Sequence, residues 1–163
     1  MALLLRKIKR ERWRPLEDET WLPPGEILAD PMADLGTSRG SLSVWFVDES
    51  RSNLDRILSA LAGNCDYVST IDYLLFDSQV LVESSLKLLQ SEGNTPDTEA
   101  NKVWHRDIVE LSAGALAALG RRVFRCEKGR RLDRQILDLL LQAVRSRWID
   151  PGKLKPEVRN RLS

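Results

Sequence analysis

The chain has few of the residue types that hold metal ions or form disulfide bonds. Its 163 residues include two cysteines, Cys65 and Cys126, and a single histidine, His105. A structural zinc site needs four nitrogen or sulfur ligands, and these three residues are far apart in the sequence. A disulfide between the two cysteines is the alternative, but unpaired thiols are the expectation for a protein of a reducing compartment. The sequence therefore predicts no metal and no cofactor.

Long hydrophobic runs are also absent. No apolar stretch approaches the roughly 20 residues of a membrane-spanning helix. The first apolar residues are followed by an Arg/Lys-rich cluster and not by the hydrophobic segment of a signal peptide. With 42% hydrophobic and 30% charged residues, the composition is typical of a globular protein. We expect a soluble, cytoplasmic protein that forms one domain over residues 1–163 and has no interaction with membranes.

No catalytic or phosphate-binding motif is complete. Segment 36–40 (GTSRG) could bind an anion through backbone N–H groups, but it lacks the GxxxxGK[ST] and GxGxxG patterns, which favours a plain loop. Asp48 and Asp77 each follow an apolar segment and could meet at a sheet edge as metal or proton-transfer groups. Because each also precedes a predicted helix, capping explains both residues without a further assumption.

His105 is the only imidazole that could act as a general base. We predict that it lies on a helix beside Trp104, where no nucleophile stands at a readable spacing and Asp107 points away. This placement favours a structural role. A small enzyme centred on His105 would need a serine or carboxylate from another element.

The spacing of apolar residues predicts a mainly α-helical α+β fold, in which four to five helices pack with a small β element. The clearest strand is 41–47 (SLSVWFV), which is rich in β-branched and aromatic residues. Helices are predicted over 54–63, 78–93, 96–119 and 132–148, with one more short helix after residue 153.

The remaining segments are less regular. Residues 1–14 are expected to form a basic arm or an edge strand. Residues 15–40 are punctuated by four prolines, which predicts a long ordered loop with one helical turn near 30–35. Residues 67–76 fit both a strand and a helix, and we favour a helical turn that leads into a short extended piece.

Charge is sorted along the chain into three blocks. Residues 1–14 carry six basic and one acidic side chain, residues 15–120 carry six basic and eighteen acidic, and residues 121–163 carry thirteen basic and five acidic. The net charge of +1 hides this segregation. It predicts either that the basic ends fold onto the acidic middle or that they bind an anionic partner.

The densest cationic run joins the last two long predicted helices, and it is the main candidate binding site. The run could bind phosphates, lie at the negative end of the preceding helix dipole, or pair with acidic residues of this chain or of a partner. Its members are Arg121, Arg122, Arg125, Lys128, Arg130, Arg131 and Arg134.

Since no catalytic set is readable, the sequence favours a non-catalytic binding or accessory module that docks onto a partner protein and regulates it. Five tryptophans and segregated charge suit such an interface, and a homo-oligomer is compatible with the same features. The alternative is a nucleic-acid-associated protein that uses the run 121–134. An enzyme centred on His105 is the third hypothesis.

Overall fold

The computed structural model describes residues 2–15 and 20–163. Six strands form one antiparallel sheet in the order β4-β5-β2-β1-β3-β6. The strands are β1 (Leu3–Ile8), β2 (Leu42–Val47), β3 (Ile71–Asp77), β4 (Lys87–Gln90), β5 (His105–Val109) and β6 (Glu127–Arg131). The helices are α1 (Asp30–Asp34), α2 (Leu54–Gly63), α3 (Gln79–Glu83), α4 (Thr98–Trp104), α5 (Ala113–Val123), α6 (Asp133–Arg145) and α7 (Pro156–Asn160). Two 3-10 turns lie at Arg10–Trp13 and Pro151–Lys153.

The prediction of a mainly α-helical protein with a small β element is wrong. The described residues form an α+β fold with a six-stranded sheet and seven helices. Strands β4 and β5 interrupt the helices predicted over 78–93 and 96–119, because the chain turns sharply within each segment. Ser85 and Glu110 adopt left-handed backbone, with φ of 53° and 60°. A right-handed helix of L-residues does not continue through such a position.

The N-terminal strand lies at the centre of the sheet, so the expectation of an edge strand is also wrong. Leu4 of β1 is opposite Phe46 of β2 and Phe76 of β3, and it is fully buried. Strand β3 replaces the helical turn favoured for residues 67–76. Its side chains are buried on both faces, which explains its continuous apolar run.

Other predictions are confirmed. The strand near 41–47 is β2, the helices near 54–63 and 132–148 are α2 and α6, and the last short helix is α7. The helical turn near 30–35 is α1. Residues 16–19 of the predicted loop lie outside the described residues.

Helices cover both faces of the sheet, because side chains alternate along each strand. Leu5 and Trp45 face the first core, where they pack with α2, α4 and α6. Leu4 and Leu74 face the second core, where they pack with α1, α3 and α5. Within the described ranges, no helix has the length and apolar character needed to cross a bilayer.

A buried ion pair joins the helices of the first face. Arg56 Nε of α2 lies 2.7 Å from Asp97 Oδ2, and the Asp97 side chain is 1% exposed. The Arg56 guanidinium also lies 5.3 Å and 4.9 Å from the ring centroids of Trp104 and Trp148, at cation–π distance. Burial lowers the pKa of Arg56, but hydrogen bonds to Asp97 and Glu99 outweigh that effect and raise its pKa.

We expect Asp97→Ala to lower the free energy of unfolding by about 3–5 kcal/mol, because it removes the buried partner of Arg56 and leaves that charge only the exposed Glu99 carboxylate. Asp97 also accepts the Ala100 N–H as the N-cap of α4. Asp97→Asn can retain that hydrogen bond while it removes the charge. The difference in unfolding free energy between the Asn and Ala variants therefore reports the capping hydrogen bond, and the loss in the Asn variant reports the charge. The measurement is urea denaturation.

Glu99→Gln is the matched control for this prediction. Glu99 binds the same guanidinium at 2.6 Å, but its side chain is 69% exposed. Removing its charge should therefore cost no more than about 1 kcal/mol. Equal destabilisation by Glu99→Gln and Asp97→Ala would contradict the role given to burial.

Candidate functional site

The structure distributes the predicted cationic run over three elements. Arg121 and Arg122 lie in the last turn of α5, and Arg125 follows it. Strand β6 contains Lys128, Arg130 and Arg131, whereas Arg134 lies in the first turn of α6. Four of the seven cations pair with carboxylates from the acidic middle of the chain: Arg121 with Glu26 (3.4 Å), Arg122 with Glu83 (2.9 Å), Arg130 with Asp72 (2.6 Å) and Arg131 with Asp55 (3.5 Å).

Of the three cations that remain, Arg125 and Lys128 contribute to a cleft at one end of the second face, whereas Arg134 lies outside it. A hollow of about 570 Å³ lies between the N-terminal 3-10 turn, segment 25–27 and the end of α5. A second hollow of about 440 Å³ shares Trp13, Pro15 and Lys128 with it. We call the two hollows together the cationic cleft. The charged side chains that line it are Arg10, Arg14, Arg121, Arg125, Lys128, Arg130 and, as the one carboxylate among the described lining residues, Glu26.

The floor of the cleft is a stack of two aromatic rings and a lysine. The Trp13 and Phe124 rings are stacked with centroids 6.2 Å apart. Trp13 is fixed because its Nε1–H donates to Asp34 at 2.9 Å. The Lys128 ammonium lies 5.9 Å from the Trp13 centroid and 5.4 Å from the Phe124 centroid, and it donates to the carbonyl oxygens of Phe124 and Cys126.

Among the described residues, the carboxylates at the cleft do not balance its positive charge. Arg10, Arg14 and Arg125 form neither an ion pair nor a side-chain hydrogen bond with any described residue. Burial is the main cause that lowers the pKa of Lys128, and the nearby Arg10 lowers it further. A bound anion would relieve this repulsion, so the cleft is electrostatically suited to a negatively charged ligand.

The cleft offers binding groups and no evident reaction chemistry. Pro15, Ile27 and Phe124 supply apolar surface beside the cations. No serine, threonine, cysteine or histidine is among the described residues that line it. The arrangement can therefore hold an anionic group together with an apolar one.

Sequence reasoning missed half of this site. It singled out the run 121–134, but Arg10, Arg14 and Trp13 were not among the candidate residues. The one available signal was the basic block over residues 1–14. Its position next to Phe124 and Lys128 depends on strand order, which the sequence pattern did not predict.

His105 begins strand β5 and does not lie on a helix. Its Nδ1 is 2.8 Å from the Ser91 hydroxyl, and its ring makes an edge contact with Trp45. Burial lowers its pKa. A serine and a histidine thus meet, but within the described residues no carboxylate orients the imidazole, and Asp107 accepts a hydrogen bond from Ser43. The enzyme hypothesis stays a prediction.

Asp48 follows β2 and Asp77 ends β3, so both lie at the same end of the sheet, on either side of the start of β1. Each is bonded within its own turn. Asp48 accepts from Ser50 and Ser52, and the bond from the Ser52 hydroxyl is the main cause that lowers its pKa. Asp77 accepts the Gln79 N–H. In the described part of the chain, no group of three or more His, Cys, Asp or Glu residues could hold a metal ion.

Segment 36–40 forms a tight turn before β2. Gly40 adopts a φ of 71°, and the N–H groups of Ser38 and Ser41 donate to each other's carbonyl oxygens. The Gly40 carbonyl accepts the Leu111 N–H, which ties the turn to the end of β5. Of the backbone donors of the segment, the Ser38 N–H is therefore engaged within the fold.

Comparisons with protein-family models, with curated proteins and with solved structures found no match to this chain.

We expect His105 to make stability depend on pH. Because its pKa is lowered in the folded state, the unfolded chain binds the proton at higher pH. The stabilisation that comes from the neutral imidazole is therefore fully present above the unfolded pKa of about 6.5. It is lost as the pH falls from there through the lower pKa of the folded state. Between pH 7 and 5, urea denaturation should show a larger loss of stability for the wild type than for His105→Asn. Parallel pH profiles would contradict this expectation.

Proposed function

We propose that this protein is a non-catalytic binding module that docks onto a partner protein by holding an acidic segment of that partner in the cationic cleft. The observation that carries the proposal is the juxtaposition of three guanidinium groups that pair with no described residue, a half-buried lysine and an apolar wall. We place the protein in the cytoplasm, because its globular composition and its two unpaired cysteines suit a reducing compartment.

The chemistry of the cleft fits carboxylates that alternate with apolar side chains. A guanidinium binds a carboxylate through two parallel hydrogen bonds. Hydrogen bonds to charged groups each contribute about 1.5–3 kcal/mol. Arg14 and Arg125 can take carboxylates of the partner, while Ile27 and Phe124 contact an apolar residue between them. A cleft of about 570 Å³ is large enough for a few such side chains.

The aromatic rings of the cleft favour a peptide over a nucleic acid. Proteins that bind single strands stack bases on exposed aromatic side chains. Trp13 is 1% exposed, so its ring offers no free face of that kind, and one face of the Phe124 ring is covered by its stack on Trp13. Pairing of Arg130 with Asp72 also removes one phosphate-binding cation from the cleft. Nucleic acid remains the alternative ligand at this site.

We expect the protein to bind a fluorescein-labelled decapeptide in which leucine interrupts a run of glutamates, measured by anisotropy at low salt. The triple variant Arg10→Gln, Arg14→Gln, Arg125→Gln should weaken binding at least about tenfold, since removal of one charge-assisted bond already corresponds to that factor. The cations are exposed or partly exposed and unpaired, so the fold should tolerate the change.

A control variant with the same decrease in charge, Arg39→Gln, Lys102→Gln, Arg134→Gln, should bind the peptide like the wild type. The charge-reversed lysine and leucine peptide should not bind. Equal weakening by both triple variants would refute the cleft as the site. A labelled thymidine decamer that binds more tightly than the peptide and loses affinity in the cleft variant would favour nucleic acid as its ligand. Sedimentation of the protein alone tests whether a second copy is the partner.

A further inference from the structure

A second group of cations lies after the predicted run, on the other face of the sheet. These side chains are all exposed, and none forms an ion pair with a described residue. The segment contains two carboxylates, of which Asp150 accepts the Gly152 N–H within its own turn. We call residues 145–161 the C-terminal cationic surface. Its cations are Arg145, Arg147, Lys153, Lys155, Arg159 and Arg161.

This surface is held rigidly on the body of the protein. Ile149, Leu154 and Val158 alternate with the cations along the chain and belong to the first core, with exposures of 1%, 4% and 0%. A Cβ on Gly63 of α2 would lie 3.2 Å from Leu154 Cδ2 and 3.4 Å from Ile149 Cδ1, so the segment packs closely against the end of α2. These apolar side chains point inward and the charges outward.

The end of α6 adds a second observation. Arg147 adopts left-handed backbone with a φ of 58°. Helices usually end there with glycine, which takes this conformation without steric cost. Here the chain presents an arginine side chain at a position where its backbone is disfavoured. Arg39, Arg51, Ser85 and Glu110 share this conformation, so at Arg147 it marks the turn that ends α6 and leaves the side chain exposed.

We propose that the C-terminal cationic surface binds the phosphate backbone of nucleic acid, and that it does so independently of the cationic cleft. The predicted run 121–134 is mostly neutralised by Asp55, Asp72 and other carboxylates, whereas this surface is not. Lys155 is the N-cap of α7, and its carbonyl oxygen accepts the N–H of Arg159, so the two cations lie one helical turn apart.

Three kinds of anionic partner could bind this surface: nucleic acid, a protein or a membrane. The burial of its apolar side chains favours nucleic acid over the other two. A protein interface has an apolar core inside a polar rim, but Ile149, Leu154 and Val158 are buried in the body. A peripheral membrane helix inserts apolar side chains between lipids, and Leu154 and Val158 cannot do so. The surface therefore presents mainly charged groups. Proteins that bind nucleic acid without sequence specificity do so by neutralising its phosphates with such groups.

The test is anisotropy with a labelled 20-base-pair DNA duplex between 50 and 200 mM salt. The wild type should bind with an affinity that falls steeply with salt. In the quadruple variant Lys153→Gln, Lys155→Gln, Arg159→Gln, Arg161→Gln, the slope of log affinity against log salt should decrease by about 0.9 for each phosphate that is no longer neutralised, hence by about 3–4. If that variant unfolds by circular dichroism, the double variant Lys155→Gln, Arg159→Gln should decrease the slope by about 2.

The matched control removes four cations that lie outside both the cleft and the C-terminal cationic surface, Arg39→Gln, Arg122→Gln, Arg131→Gln and Arg134→Gln, and should leave the slope unchanged. The cleft variant should also leave it unchanged, while the C-terminal variant should still bind the acidic peptide. The two proposals can therefore fail separately. No duplex binding at 50 mM salt, equal effects of the two quadruple variants, or binding to phosphatidylserine vesicles without binding to DNA would each overturn the inference.

Discussion

The central position of β1 is the constraint on which the cationic cleft depends. Ile8 at the end of β1 is opposite Asp72 of β3, and Asp72 is opposite Arg130 of β6. The end of the first strand and the basic edge strand therefore lie in one row of the sheet. The 3-10 turn that follows β1 brings Trp13 over the same strand that carries Lys128. A shift of one residue in this register would turn β1 side chains to the opposite face, so the site and the two cores are specified together.

This topology also explains why charge is segregated along the sequence. The acidic middle of the chain surrounds the basic segment 121–134, and pairs such as Arg122–Glu83 and Arg131–Asp55 join the two at the surface. Exposed ion pairs of this kind contribute little to stability. Their larger effect is to neutralise most of the run, and positive potential is left at the described segments whose cations pair with no described carboxylate. The N-terminal turn and the C-terminal segment are those places, and both are parts of the basic blocks visible in the sequence.

The sequence pattern predicted helices that bury a single stripe of side chains. It failed for segments whose conformation depends on contacts with residues distant in the sequence. Helix α6 has a single buried stripe, so its spacing was readable. Trp104, Ile108 and Leu111 also have helical spacing, but they belong to α4, β5 and the turn after it. Strand β6 (EKGRR) contains no apolar residue, and it pairs with β3 because Gly129 lets the Tyr73 ring lie directly over its backbone. Half of the cleft was therefore visible as a basic run, while the rest required knowledge of strand order.

The cationic cleft and the C-terminal cationic surface lie on opposite faces of the sheet. Trp13 and Phe124 belong to the second core, whereas Leu154 and Val158 belong to the first, so the sheet separates the cleft from the C-terminal surface. Charges farther apart than the Debye length of about 8 Å at physiological salt interact weakly. Binding at one surface should therefore neither block nor strongly bias binding at the other. Because one surface combines charge with apolar walls and the other carries charge alone, a protein segment and a nucleic acid could be held at the same time, and the small domain would act as an adapter between them.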